Sequence, residues 1–331
     1  MKTCIYRKYS FPLCGGLLFS SYLILIFCTF KDYGITWDEY IGHTYGQYIL
    51  NYYLTFFQDK SATTFLNVYL YGGFFEILSV LFSKVMSFAG VGVYESRHLL
   101  NAITGFIGVC YAFLLGMRIA KSKYVGILSA LFLFFMPRYF GHSFNNPKDI
   151  PFAVLYLATL YYICDSVPYW GKKLPGSSIA KIGIASGLCI GTRVGGGILL
   201  VYFFLFFAGY HLIAWGRKQI DFKTVFLLIA RNFFPIAAIS YATMLVFWPW
   251  AQQNPLVNPW ISSRSMLNFV TFSFTVLFEG NIITAAQTPR HYLLKWIGIA
   301  TPFVVLLGLL FFLAYPRSEE HTSELQSRQS I

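Results

Sequence analysis

The sequence predicts an all-α polytopic membrane protein, a transmembrane bundle with interfacial helices in its outer loops. Three observations predict it. Of 331 residues, 56% are apolar and only 11% charged, less than half the roughly 25% charge of a soluble domain. No soluble fold of this size buries 35 Phe and 24 Tyr beneath so few charges. The apolar runs are long and continuous, near the ~20 residues of a helical crossing, and do not alternate as barrel strands do. Soluble globular, disordered and disulfide-scaffold classes are thereby excluded.

The first run, 11–30, follows Lys2, Arg7 and Lys8. It is too long for a signal peptide and lacks a small-residue cleavage site, so it reads as an uncleaved first span. Its basic flank places the N-terminus in the cytoplasm. Further runs cover 98–117, 125–137, 151–167, 179–215, 225–250 and 292–315. Basic clusters at Arg118/Lys121/Lys123, Lys172/Lys173/Lys181 and Arg217/Lys218/Lys223 belong with the N-terminus by the positive-inside rule. Two parity conditions follow. The stretch 65–90, with Gly72, Gly73, Glu76 and Lys84, must lie on the interface and not cross. The run 179–215 must cross twice, broken in the glycine-rich stretch 191–197. Segments 31–96, 138–150 and 251–291 then face outward and carry most of the carboxylates.

Residues 317–331 read codon for codon as a translated sequencing-library adapter, a non-native tail to be set apart from the fold. The expected domain is 1–316, truncated at its C-terminal side. The six cysteines sit in or beside apolar runs without CxxC spacing and read as packing residues. His43, His98, His142 and His291 are scattered and spell no metal-ligand motif.

Four constellations carry possible chemistry. Gly34–Tyr40 opens an amphipathic helix with apolar residues at Trp37, Ile41, Tyr45, Tyr48, Ile49, Tyr52 and Phe56. Thr36 and Glu39 fit a capping box, so Glu39 is either a cap or a site residue; Asp38 is not needed for the cap. The turn Asn146-Pro147-Lys148-Asp149 lies between two spans, and Asp149 is either a helix cap or a functional carboxylate. Arg193, in the glycine-rich break, either snorkels to headgroups or meets an anionic group that glycine lets approach. Arg290 and His291 precede the last run and are belt residues or accessory site residues.

Taken in order, these residues resemble the GT-C glycosyltransferase superfamily. The similarity is to glycosyltransferase family 39, the protein O-mannosyltransferases, and to aminoarabinose-transferase-like bacterial relatives. It rests on Asp38-Glu39 after span one, Arg97 at the head of span two, Asp149 in the next outer loop and Arg193 in a broken hairpin, and it covers about residues 11–315. The resemblance implies a GT-C-like transmembrane bundle in a bacterial inner (plasma) membrane, with its active site on the periplasmic or extracellular face. It implies transfer of a sugar, with inversion, from a polyprenyl-phosphate-linked sugar donor to an acceptor protein, lipid or glycan. Asp38 would be the general base, Glu39 its support or an acceptor contact, and Asp149 the residue orienting sugar or acceptor. Arg193 and Arg97 would hold the phosphate, with Lys148, Asn146, Arg290 and His291 as accessory residues. No cofactor is specified; Arg, Lys or a divalent metal would neutralise the departing phosphate. The partners are these substrates and the lipid bilayer, with no nucleic acid. A transporter or flippase of a lipid-linked substrate is the alternative from another class, disfavoured by the lack of an internal repeat and by carboxylates in outer loops; an inactive truncated fragment is the third.

The topology is testable at one residue. In Ser122→Cys, beside Lys121, a membrane-impermeant thiol reagent is expected to react only after permeabilisation. Labelling from outside intact cells would overturn the topology and the outer-face placement of Asp38 and Asp149.

Overall fold

A computed structural model describes residues 2–267, 275–284 and 287–314, with side chains from residue 15 onward. The chain divides into two compact units, 1–269 and 270–331, a boundary inside the domain read from the sequence over 1–316. The expected non-native tail, 317–331, lies outside the described residues.

The first unit contains helices α1 (Lys2–Thr29), α2 (Trp37–Leu54), α3 (Phe74–Ser87), α4 (Val93–Ala120), α5 (Lys123–Phe134) and α6 (Pro137–Asn145). It continues with α7 (Asp149–Ser166), α8 (Gly176–Ile190), α9 (Ile198–Gly216), α10 (Phe222–Val246), α11 (Pro249–Gln253) and α12 (Val257–Leu267). Among the described residues, four stretches are long and apolar enough to cross a membrane: Val93–Ala120, Asp149–Tyr169, Val194–Gly216 and Phe222–Val246. The count reaches six if each bent pair is one span; α5 and α6 meet at 65°. The apolar half of α1, Gly15–Thr29, and α8 are shorter apolar helices, so the double crossing expected over 179–215 requires α8 to cross at 15 residues. Large apolar side chains such as Leu205, Phe206, Phe226 and Phe234 point outward from α9 and α10, a surface that suits lipid and is costly in water. The protein is a helical, multi-pass membrane protein.

Local sequence explains the helices of the loop 31–96. α2 begins where expected: the Thr36 backbone N–H donates to Glu39 Oε2 at 2.7 Å, the reciprocal half of a capping box. Tyr45, Ile49 and Tyr52 of its expected apolar face are buried, whereas Trp37 and Phe56 at the two ends are exposed. α3 has 14 residues, about 21 Å at 1.5 Å per residue, too short for a ~30 Å hydrocarbon core. It buries Phe75, Ile77 and Val80 and exposes Leu78, Leu81, Val85 and Phe88. α2 lies against α3 through Gly42 and Gly46: a Cβ on Gly46 would stand 2.5 Å from the Glu76 carbonyl oxygen.

The cores follow from the apolar runs. Tyr22, Ile26, Leu99, Ala102, Val109, Phe134 and Phe144 join α1, α4, α5 and α6. A second cluster joins α7 to α10 through Ile163, Ile182, Phe203 and Ile236. The expected break is present: α8 stops at Ile190, Val194–Gly197 forms a single 3₁₀ turn, and α9 starts at Ile198. Into this break docks the segment before α3. Phe74 N–H donates to the Gly191 carbonyl at 3.3 Å and Gly73 N–H to the Phe247 carbonyl at 2.9 Å.

The second unit departs from an all-α expectation. β1 (Thr275–Phe278) and β2 (Asn281–Thr284) form an antiparallel hairpin, with Phe278 opposite Asn281. Its two turn residues, Glu279 and Gly280, both have positive φ (53° and 81°), the twist a two-residue hairpin prefers. α13 (Tyr292–Ala300) and α14 (Phe303–Ala314) follow and meet at 113°.

Gly72 is the tightest backbone approach in the first unit, because a Cβ there would lie 2.1 Å from the Gly191 carbonyl oxygen. Both sides of that contact are main chain. Gly72→Ala is expected to cost about 1–3 kcal/mol, the scale of overpacking, read as earlier thermal unfolding in detergent. Gly34→Ala, where nothing lies within 4 Å, serves as the control and should unfold like the parent protein.

Candidate functional site

A buried ion pair and a buried histidine–carboxylate contact underlie the loop 31–96. Arg97 and His98 are neighbours on α4. Arg97 Nη2 donates to Glu76 Oε2 on α3 at 2.7 Å, and His98 Nε2 lies 3.0 Å from Glu39 Oε1 on α2. Arg97 and Glu39 are each only 1% exposed. Removing charges such as Arg97 and Glu76 from water costs several kcal/mol per ion unless each is paired, so that pair holds α3 on α4, and the His98 contact joins α2 to the same turn of α4. Arg97 Nε and Nη1 and His98 Nδ1 are buried with no hydrogen-bond partner among the described residues. His43, one turn along α2 from Glu39, is held below the usual imidazole range by burial and by Arg97, with Glu76 partly opposing.

This burial bears on two expected site residues. Glu39 was expected to support Asp38 or contact the acceptor, but its carboxylate is committed to the helix cap and to His98. Arg97 was expected on the donor phosphate, but its guanidinium is enclosed with Glu76. The sequence places Glu39 in a loop and Arg97 at the head of a span without saying how deep either lies.

Above these pairs, other expected residues come together in an accessible rim. Three elements carry it. α2 supplies Asp38, the turn between α6 and α7 supplies Asn146, Lys148 and Asp149, and the α8–α9 break supplies Arg193. Lys148 Nζ lies 3.4 Å from Asp38 Oδ1. Arg193 Nη2 lies 2.8 Å from Asp149 Oδ1, and Asn146 Nδ2 donates to Asp149 Oδ2 at 2.9 Å. The turn is locally determined: Asn146 Oδ1 accepts from the backbone N–H of Lys148 (3.3 Å) and of Asp149 (2.9 Å), an Asx turn. The two outer loops are tied where Thr36 Oγ1 donates to the Asn145 carbonyl at 3.1 Å. The rim thus alternates Asp38, Lys148, Asp149 and Arg193 in sign. All four remain partly accessible; Asp149 is the most exposed.

The second unit carries the other accessory candidates. His291 Nε2 lies 3.9 Å from Glu279 Oε1, Lys295 also pairs with Glu279, and Arg290 is exposed at a turn. Among the described residues no group of three or more His, Cys, Asp or Glu side chains gathers as a metal site.

One rim residue escaped sequence reasoning. Tyr71 is half-buried between α2 and the α8–α9 break, within electrostatic reach of both Arg193 and Asp38. Burial raises its phenol above the ordinary range, Arg193 lowers it and Asp38 raises it. Tyr71 belongs to no motif; the Gly72-Gly73 pair after it is the only local sign of a special backbone.

Two cavities adjoin the rim. One of about 20 Å³, room for a single water, is lined by Gly42, Tyr71, Glu76, Lys148 and Thr192, among others. The other is an apolar groove of about 430 Å³ between α3, α4, α7 and α8. Phe75 lines both. The groove starts at Phe74 and Pro151, two residues past Asp149, and runs along Val154, Leu155 and Ile184 to Tyr111, Tyr162 and Lys181. Tyr111 and Tyr162 share a 2.6 Å hydroxyl contact, and Lys181 Nζ lies 5.8 Å from the Tyr162 ring centre.

No family model, curated protein or solved structure matches this chain. What the chain itself defines is a helical multi-pass membrane protein with a charged rim and, beginning two residues past Asp149, an apolar groove.

The Arg97–Glu76 pair has a distinguishing test. Arg97→Met strands Glu76 as a lone buried charge and is expected to cost about 3–5 kcal/mol, seen as a lower unfolding temperature in detergent. Arg97→Met combined with Glu76→Leu removes both charges and should recover most of the loss. An Arg97→Met protein of unchanged stability would return Arg97 to the list of ligand-binding candidates.

Proposed function

We propose that this protein is a membrane glycosyltransferase that moves a sugar from a polyprenyl-phosphate carrier to an acceptor hydroxyl on the non-cytoplasmic face. One observation carries the reading: a rim of two carboxylates and two cations lies near an apolar groove between α3, α4, α7 and α8, whose lining begins at Pro151, two residues past Asp149. The chemistry needs those parts together. A carboxylate must take the acceptor proton, positive charge must receive the departing phosphate, and the lipid tail must leave water beside the reacting centre.

Asp38 suits the base, because it is partly accessible and its ion pair with Lys148 is long, at 3.4 Å. Asp149 is held by both Arg193 and Asn146, which suits a residue that orients a sugar or acceptor. Arg193 faces the phosphate from the broken hairpin, with Lys148 beside it. A flippase pathway would need polar groups along the groove, and the groove carries one charged side chain, Lys181.

Transfer of labelled sugar from a polyprenyl-phosphate donor by the purified protein tests the reading. Asp38→Asn preserves shape and removes the base, so the rate should fall about 10²–10⁴-fold with little change in the amount of folded protein. Full transferase activity in the Asn variant would exclude Asp38 as the base, and donor movement across vesicles without sugar transfer would favour the flippase.

A further inference from the structure

The segment bearing Tyr71 is fixed more heavily than its lack of regular structure explains. Three consecutive carbonyls are each held by a different side chain. Tyr69 accepts from Trp248 Nε1 at 2.8 Å, Leu70 from Ser262 Oγ at 2.7 Å, and Tyr71 from the Tyr45 hydroxyl at 3.0 Å. Immediately after them, Gly73 and Phe74 bond through their N–H groups to Phe247 and Gly191. Five contacts to five separate positions leave the backbone of Tyr71 no freedom. Yet its own hydroxyl makes no hydrogen bond among the described residues, and its ring joins none of the aromatic clusters there. A side chain delivered with such precision and then left unengaged is positioned for something that arrives.

We infer that Tyr71 is a phosphate-binding residue of the rim, donating its phenolic hydrogen to an oxygen of the lipid phosphate that Arg193 holds. The assignment rests on the sugar-transfer reading of the rim and adds a contact that no sequence motif marks. Three facts select the phosphate. Tyr71 lines one small cavity with Lys148 and with Thr192, the residue before Arg193. Arg193 spends Nη2 on Asp149 and keeps a buried Nε without a partner among the described residues, so it still has a donor to give. Asp149 already offsets part of the Arg193 charge, so an anion placed there gains from a further donor that brings no charge. A phenol in a site that keeps it protonated is such a donor.

Equilibrium binding of farnesyl phosphate and of farnesol to the full-length protein in detergent tests this. The parent protein should prefer the phosphate. Tyr71→Phe keeps the ring and all five backbone contacts, so its unfolding temperature should not move. Its affinity for farnesyl phosphate should fall about tenfold or more, the loss of one hydrogen bond to a charged group, with farnesol unchanged. A Phe variant that binds farnesyl phosphate as the parent does would overturn the assignment while leaving the transferase reading standing. A parent protein that binds farnesyl phosphate no better than farnesol would sink the transferase reading and this assignment with it.

Discussion

The loop 31–96 depends on two buried contacts that α4 makes through adjacent residues, the Arg97 ion pair to Glu76 and the His98 contact to Glu39. Neither α2 nor α3 crosses the membrane by length and composition, so neither is located by the bilayer alone. Each is located by a charge that cannot be left unpaired out of water. Since Arg97 and His98 are consecutive, the spacing of α2 and α3 is set by a single turn of α4. Gly42 and Gly46 then let the two helices close to backbone contact.

On that platform the carboxylates divide by depth. Glu39 and Glu76 are buried and hold helices together; Asp38 and Asp149 are accessible and paired with Lys148 and Arg193. Asp38 and Glu39 are adjacent in sequence, yet the 100° step between neighbours on a helix turns one toward the core and the other toward the rim. A motif of two acidic residues therefore contains one structural and one candidate catalytic group.

The broken hairpin connects the platform to the membrane helices. Its glycines open the end of α8 so that Gly191 receives the main chain of Phe74, and the same break projects Arg193 onto Asp149. One backbone feature thus brings three distant segments, near residues 72, 149 and 193, together.

The sequence by itself determined the helical membrane class, the capped start of α2, the glycine-rich break and the loops that carry Asp38, Asp149 and Arg193. Those are consequences of composition, of apolar runs and of local caps and turns, which act over a few residues and can be read from a few residues. Tertiary structure alone decided which charges are buried. Neither the loop position of Glu39 nor the place of Arg97 at the head of a span tells that both are buried. The hairpin 275–284 was also hidden, since its strands are four residues each, too short for a period to show beside long apolar helices. Tyr71 was invisible for a related reason: its importance lies in carbonyls held by Trp248, Ser262 and Tyr45, and a backbone acceptor has no side-chain identity to read.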